Sequence, residues 1–285
     1  MTPYILDAFT TVPLGGNAAG VVLLEEDYPP EDDMKALAAK LGFSETAFVR
    51  PLDDGSIRLR YFTPTDEVDL CGHATVASFH LLTLHGVTQP GRSYLAHTKA
   101  ADLTIDIRPD GSVWLDMAPP AELGELTDGD RAALYAMYGL TESDAGALKP
   151  AMVSSGLPDI MMPVKDRETL AALKPDMDAI AALSKKLDVT GVHVFAPGEG
   201  DVTAFVRNFA PLYGIDEEAA TGTSNGALSF YLYNRGLLTP GKVNRFIQGE
   251  AMGRPSEIQS VLYDDGGKVS IRVGGHAVLR ETPAE

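Results

Sequence analysis

The sequence predicts an α+β fold of two pseudo-symmetric domains, each a mostly antiparallel sheet curled into a barrel around one central helix. Three observations predict it. First, a segment occurs twice. Arg60-Tyr61-Phe62-Thr63-Pro64 leads through an acidic turn into Cys71-Gly72-His73-Ala74-Thr75, and Arg207-Asn208-Phe209-Ala210-Pro211 leads through another into Ala220-Thr221-Gly222-Thr223-Ser224. Second, each copy continues as an apolar run, through Ser78-Phe79 or Ser229-Phe230, and stops at Gly86 or Gly236. A helix apolar nearly all round must be buried. Third, many short strand patterns flank each run and supply a sheet to bury it. The 285 residues suffice for two domains of ordinary size. The expected division is 1–118 and 119–285, with a C-terminal strand available to complete the first domain.

Residues 4–9 read as a strand, Gly15-Gly16-Asn17 turns the chain, and residues 18–24 return it. Pro29-Pro30 introduce a helix with Met34, Leu37, Ala38 and Leu41 on one stripe, ended by Gly42. Residues 43–49 alternate as a strand, with Phe43, Glu45, Ala47 and Val49 on one face. The next strand is 57–62, and the first repeat helix spans about 74–84. Strands follow at 93–97, 103–107 and 113–117. Pro119-Pro120 and the acidic stretch 122–130 read as a linker and a helix start. In the second half, 151–153, 160–164, 192–195, 202–205, 258–262 and 269–273 are strands. Residues 170–187 are helical with a break at Pro175.

Composition is that of a soluble globular protein, 45% hydrophobic and 22% charged. No apolar run reaches the roughly 18 residues of a membrane span. Residues 1–11 lack the basic start and apolar stretch of a secretory leader, so the cytoplasm is the expected location. A net charge of −17 argues against nucleic acid or an anionic membrane as partner. It leaves a small anionic substrate open, because local donors outweigh distant charges screened over about 10 Å. One cysteine excludes an intrachain disulfide and a cysteine-based zinc site. The six histidines show no metal-ligand spacing, so no metal is expected. Neither GxGxxG in a βαβ context nor GxxxxGK[ST] occurs, and Ser154-Ser155-Gly156 lacks the GxSxG frame.

The chemistry-bearing candidates cluster at the repeat. A helix start offers unpaired N–H groups and a partial positive charge. Two such starts facing one cleft are expected to grip a carboxylate from both sides. Glu45 falls among apolar residues, and such surroundings disfavour an ionised carboxyl, which suits a general acid/base. The bland alternative is a glutamate reaching solvent from a strand end. His73 is placed to donate to a carboxylate or shuttle a proton, or else simply caps its helix. Cys71 is a thiolate candidate at a helix start, or plain packing. In Asp216-Glu217-Glu218 a carboxylate could face the cleft, although charge runs are usually solvated. Thr221-Gly222-Thr223-Ser224 offers hydroxyls and N–H groups, or ordinary capping.

Taken together, several segments resemble the phenazine-biosynthesis PhzF-like family. They are Asp7-Ala8-Phe9-Thr10, Gly16-Asn17-Ala18-Ala19-Gly20-Val21-Val22, Ser44-Glu45-Thr46-Ala47-Phe48, Cys71-Gly72-His73-Ala74-Thr75 and Glu217-Glu218-Ala219-Ala220-Thr221-Gly222. The resemblance runs from residue 4 to about 280, in order. It implies the diaminopimelate-epimerase-like fold, a cofactor-free isomerase and a homodimer. It implies that Glu45 is the general acid/base and His73 the histidine of the Gly-His turn. The family's second motif is usually Glu-Asp-Pro-Ala-Thr-Gly-Ser. Here Glu218 stands for the Asp, Ala219 for the Pro and Thr223 for the Ser. The hydroxyl is kept and the carboxylate is one methylene longer. Ala18 stands where the family commonly has Pro. Related two-thiol racemases place a cysteine at each helix start, but here Thr221 faces Cys71 in the alignment of copies, so two-thiol racemisation is impossible.

The expected function is isomerisation of a small carboxylate metabolite by proton transfer through Glu45, without cofactor. His73 and Glu218 assist, and Ser44, Gly72, Gly222 and Thr223 bind substrate. The alternatives are an epimerase or dehydratase using Cys71, and a non-catalytic ligand-binding homologue.

Overall fold

Both copies of the repeat fold into the same succession of elements. The structure, a computed structural model, describes residues 1–281. It divides into two units, Met1–Asp116 with the segment from Gly274 onward, and Met117–Val273. The first unit holds β1 (Pro3–Ala8), β2 (Asn17–Leu23), α1 (Glu31–Leu41), β3 (Thr46–Pro51), β4 (Ile57–Phe62), β5 (Glu67–Val68), α2 (Gly72–Leu84), β6 (Arg92–His97), β7 (Asp102–Ile107) and β8 (Val113–Asp116). The second holds β9 (Ala121–Glu125), α3 (Asp128–Met137), β10 (Ala151–Ser154), β11 (Pro158–Pro163), α4 (Arg167–Ala171), α5 (Met177–Leu187), β12 (Gly191–Pro197) and β13 (Ala204–Ala210). It continues with β14 (Ile215–Glu218), α6 (Gly222–Tyr233), β15 (Val243–Gln248), β16 (Ser256–Asp265) and most of β17 (Lys268–Gly275). The chain then returns to the first unit as β18 (Ala277–Glu281).

Strand pairing repeats step by step. In the first unit β18, β1 and β2 pair antiparallel, β2 is parallel to β3, β3 antiparallel to β4, β4 parallel to β6, and β6 antiparallel to β7. In the second unit β9, β10 and β11 pair antiparallel, β11 is parallel to β12, β12 antiparallel to β13, β13 parallel to β15, and β15 antiparallel to β16. Each parallel step needs a crossover, and a helix lies in each: α1, α2, α4 with α5, and α6. α2 packs on β1, β2, β3, β8 and β18, and α6 packs on β9, β10, β11 and β16. A helix touched by that many strands is enclosed, which is why its sequence has no polar face: from His73 to Leu82 of α2, only His80 is not fully buried.

The repeated arginine and the acidic turn have one physical explanation. Arg60 donates from Nε and Nη2 to the two carboxylate oxygens of Glu67, at 2.7 and 3.0 Å. Arg207 does the same to Glu217, at 2.8 and 2.7 Å. Each guanidinium also lies over the phenylalanine two residues on, Phe62 or Phe209, both at 5.1 Å from the ring centroid. The forked pair fixes the strand-to-helix loop in each unit. It also sorts the acidic run of the second copy, because Glu217 is committed to the strand and Glu218 is left beside the helix start.

Three expectations are corrected. β3 begins at Thr46, because Gly42 takes a left-handed cap (φ 70°) and the next residues bend rather than extend. β13 begins at Ala204, since Gly198 N–H bonds Thr203 O at 3.0 Å and closes a turn over Val202. The expected linker at 121–125 is β9, an exposed strand held by backbone pairing to β10. It carries no burial alternation, so hydrophobic periodicity could not find it. Among the described residues no helix is long and apolar enough to cross a membrane.

Candidate active site

In the first unit, three chemically active side chains meet at the start of α2. Gly16 has φ +61° and its Cβ would stand 2.2 Å from the Ala8 carbonyl oxygen, so only glycine can make this turn. The turn sets Asn17 at the head of β2, buried, with Nδ2 3.4 Å from His73 Nδ1. His73, the second residue of α2, is 6% exposed. Cys71 precedes the helix in extended backbone and places Sγ 3.4 Å from His73 Nδ1. Glu45 sits just before β3, its main-chain carbonyl accepting from Gly20 N–H, and puts Oε2 3.4 Å from His73 Nε2. The ligand atoms of Glu45, Cys71 and His73 all lie within 4.8 Å of one another.

If Asn17 Nδ2 donates to His73 Nδ1, that nitrogen accepts and Nε2 carries the proton toward Glu45. At 3.4 Å this contact is longer than a good hydrogen bond, which leaves the carboxylate free to turn to a substrate. Glu45 is therefore not one of an alternating strand face, as its sequence suggests. Its side chain is 19% exposed and its partner is polar. Ser44 is exposed in the bend before it, and Gly72 is half-buried as the first helical residue.

Both helix starts lack conventional capping. α3, α4 and α5 are capped by Thr127, Asp166 and Asp176 through side-chain oxygens. α1 carries Glu31, Asp32 and Asp33 in its first turn. α2 and α6 have neither a side-chain cap nor an acid in the first turn. Nothing in the sequence of either turn neutralises the positive end of the helix dipole, so an incoming anion can do so. The expectation that the hydroxyls of the second start are ordinary caps fails at Thr221, whose Oγ1 donates to Glu218 Oε2 at 2.8 Å.

In the second unit, Glu218 and Thr221 stand at the end of a buried polar chain. Gln248 donates from Nε2 to Glu218 O (2.7 Å) and Thr221 Oγ1 (3.0 Å), and accepts at Oε1 from Thr221 N–H (3.2 Å) and Asn225 Nδ2 (2.9 Å). His193 Nε2 lies 3.3 Å from Asn225 Oδ1, and its Nδ1 lies 3.2 Å from Asn208 Nδ2. Asn208 donates to Ser224 Oγ (3.2 Å), which donates to Asp159 Oδ2 (2.5 Å). This network holds Glu218 and Thr221 in one setting; Gly222 and Thr223 beside them are half-buried, and Thr223 O accepts from Ser155 Oγ at 2.7 Å. Gln248, Asn225, His193 and Asn17 are not among the sequence candidates. Only the Gly-Asn turn gave any signal, because single polar residues in apolar strands carry no period.

Burial pushes the Asp159 carboxyl up to about 6, against the lowering by the Ser224 hydroxyl and Gly191 N–H. Burial pushes His193 down to about 4. Asp159 in the fold thus holds its proton more tightly than at its ordinary value of 3.8. Its contribution to stability is full below that value and lost as pH rises through about 6. Asp159→Asn, which cannot ionise, should gain roughly 1 kcal/mol relative to wild type between about pH 5 and pH 8. Chemical denaturation at both pH values checks this; a difference that is flat or falls with pH refutes it.

The phenazine biosynthesis-like protein family model, PhzC-PhzF, matches residues 6–282. The Bacillus subtilis protein named uncharacterized isomerase YfhB is 33% identical over 283 residues, 97% of this chain and 95% of that one. A Pseudomonas fluorescens protein named trans-2,3-dihydro-3-hydroxyanthranilate isomerase is 33% identical over 259 residues, 88% of this chain and 87% of that one. The crystal structure of a PhzF-family protein from Bacillus anthracis superposes with a TM-score of 0.89 at 27% identity, covering 99% of this chain and 97% of that one. A probable proline racemase from Agrobacterium radiobacter shares the fold alone, with a TM-score of 0.63 at 13% identity over 98% of this chain and 90% of that one. A match along nearly the whole chain, to a family model and to named isomerases alike, makes this protein an isomerase of the phenazine biosynthesis-like PhzF family.

Proposed function

We propose that the protein isomerises a small carboxylate metabolite by moving one proton through Glu45, without a cofactor. The Glu45 carboxylate takes a proton from a substrate carbon, the electron pair shifts into the neighbouring π system, and the resulting carboxylic acid returns the proton to another carbon. The single observation that carries this reading is Glu45 Oε2 lying 3.4 Å from His73 Nε2, at a helix start with neither cap nor acidic first turn. His73 steadies the carboxylate or the charge that develops on the substrate. N–H groups at Gly72 are the proposed carboxylate grip in the first unit, and those at Gly222 and Thr223 offer the same chemistry at the helix start of the second. Ser44 and Glu218 complete the set, Glu218 held by Thr221 and Gln248. A homodimer in the cytoplasm is the proposed working form.

The Pseudomonas fluorescens relative makes trans-2,3-dihydro-3-hydroxyanthranilate the first carboxylate to test. A thermal-shift screen extends the search, since a ligand at 100 times its dissociation constant adds about 2.7 kcal/mol. Turnover in heavy water should place deuterium in the product at the reprotonated carbon. Product free of solvent deuterium rules out a carboxyl group that exchanges between the two steps. Cys71→Ser separates the main rival: activity survives if Glu45 is the base and disappears if the thiol is.

A further inference from the structure

We propose that Gln248 is the positioning residue of the second helix start: it sets the Thr221 hydroxyl as a donor to Glu218, and turnover falls when that direction is lost. The first half stands on hydrogen bonds alone; the second rests on the reading of Glu218 as an assisting group. β15 runs parallel to β13 and ends at Gln248, whose side chain is fully buried. An amide offers two hydrogens and two lone pairs, and here every one is used. A main-chain N–H can only donate, so the atom 3.2 Å from Thr221 N is the amide oxygen. That oxygen also accepts from Asn225 Nδ2 at 2.9 Å. Nε2 then gives its hydrogens to Glu218 O at 2.7 Å and to Thr221 Oγ1 at 3.0 Å. Turning the amide over would set NH₂ against the Thr221 N–H and oxygen against the Glu218 carbonyl. Because Thr221 Oγ1 receives a hydrogen from Gln248, its own hydrogen goes to Glu218 Oε2, 2.8 Å away.

The neighbours of Gln248 hold it in this sense. Asn225 gives its other amide hydrogen to Thr221 O at 2.9 Å, and its Oδ1 lies 3.3 Å from His193 Nε2. Ser256 pairs with Gln248 across β15 and β16, and donates from Oγ to Ala219 O at 2.7 Å. The carbonyls of Glu218 and Ala219 are thus both held by side chains of one strand pair, and the loop between β14 and α6 is fixed from below. On that loop the direction of one hydroxyl decides what Glu218 meets. A hydroxyl that donates holds the carboxylate in one setting beside the uncapped start of α6. A hydroxyl turned toward position 248 offers it a lone pair instead. Gln248→Glu makes that change: an ionised carboxylate only accepts, so the Thr221 hydrogen turns to it and Glu218 loses its donor.

The test uses the full chain. Crystal structures of wild type, Gln248→Glu and Thr221→Val, without substrate, should show the Glu218 carboxylate bonded to Thr221 in wild type and swung away from position 221 in both variants. A carboxylate that keeps its place in both overturns the positioning. With trans-2,3-dihydro-3-hydroxyanthranilate as the probe, kcat/KM should fall about 10- to 100-fold in each variant, the worth of a hydrogen bond to a charged group. Thr221→Val exchanges only a hydroxyl for a methyl group, so it carries the test if Gln248→Glu does not fold. Thr221→Ser, which keeps the hydroxyl, should recover most of what Thr221→Val loses. Gln248→Glu combined with Thr221→Val should be no slower than Gln248→Glu alone, because both act through one hydroxyl. Losses that multiply in the double variant, or a Thr221→Ser as slow as Thr221→Val, overturn the role of that hydroxyl. If the carboxylate moves as expected but every variant turns over like wild type, the rate half falls and the positioning stands. Glu45→Gln at the wild-type rate fails the proton-transfer reading and leaves both results as they are.

Discussion

Glu45→Gln should lower kcat by about 10²- to 10⁴-fold while leaving substrate affinity within severalfold. The amide keeps the shape and one acceptor oxygen of the carboxylate, so packing before β3 and the contact to His73 are preserved. What it loses is the capacity to take a proton. A group that acts only in the proton-transfer step reduces kcat and kcat/KM together. Solvent deuterium should accordingly fail to enter substrate or product at a measurable rate. A rise in KM with kcat unchanged would mean that Glu45 binds substrate and that another group moves the proton. A near-wild-type rate removes Glu45 from the chemistry and leaves Cys71, whose sulfur lies 3.4 Å from His73 Nδ1, as the next candidate.

Asp7→Ala should cost about 3 kcal/mol and lower Tm by about 6–12 °C. Asp7 is 0% exposed. Its Oδ1 accepts from Arg280 Nη2 at 2.5 Å, and its Oδ2 from Arg280 Nε at 3.0 Å and Leu14 N–H at 2.8 Å. The pair ties β1 to β18, the two ends of the chain, across a strand register that carries an irregularity between Ile5 and Leu6. Removing the carboxylate leaves a guanidinium in a largely buried place and an N–H with no acceptor. Arg280 is 22% exposed, which sets the estimate at the low end of the range for broken buried pairs. Adding Arg280→Met to Asp7→Ala should recover part of the loss, because no buried charge then remains uncompensated. Equal stability of Asp7→Ala and wild type in thermal and denaturant melts refutes the argument.

Much of the fold was legible because burial imposes a period. The run from Ala74 to Leu82 has no polar face, and only a helix enclosed by sheet accommodates that. Residues 57–62 alternate under the constraint of one buried face, and the strand has those bounds. β9 and β15 were not legible. β9 is held by main-chain bonds with exposed side chains, and β15 alternates over only six residues among polar neighbours. The site was half legible. Cys71 and His73 are two residues apart, so one helix start sets their contact. Glu45 reaches His73 because β2 and β3 run parallel and bring residue 45 against Gly20, a relation no local pattern contains.

The duplicated segment by itself determined two like domains, two glycine helix starts and a single thiol, and hence that no two-cysteine mechanism is possible. Those conclusions need only local spacing and a count. Tertiary structure decided which carboxylates are available. Glu67 and Glu217 are locked onto Arg60 and Arg207, the Glu218 carboxylate accepts from Thr221 Oγ1, and Glu45 is left loosely against His73. An acidic side chain is the same in sequence whether it is paired or poised. The difference is a matter of which donors lie within hydrogen-bond distance: a residue of the adjoining strand or turn for Glu67, Glu217 and Glu218, and a helix residue 28 positions on for Glu45.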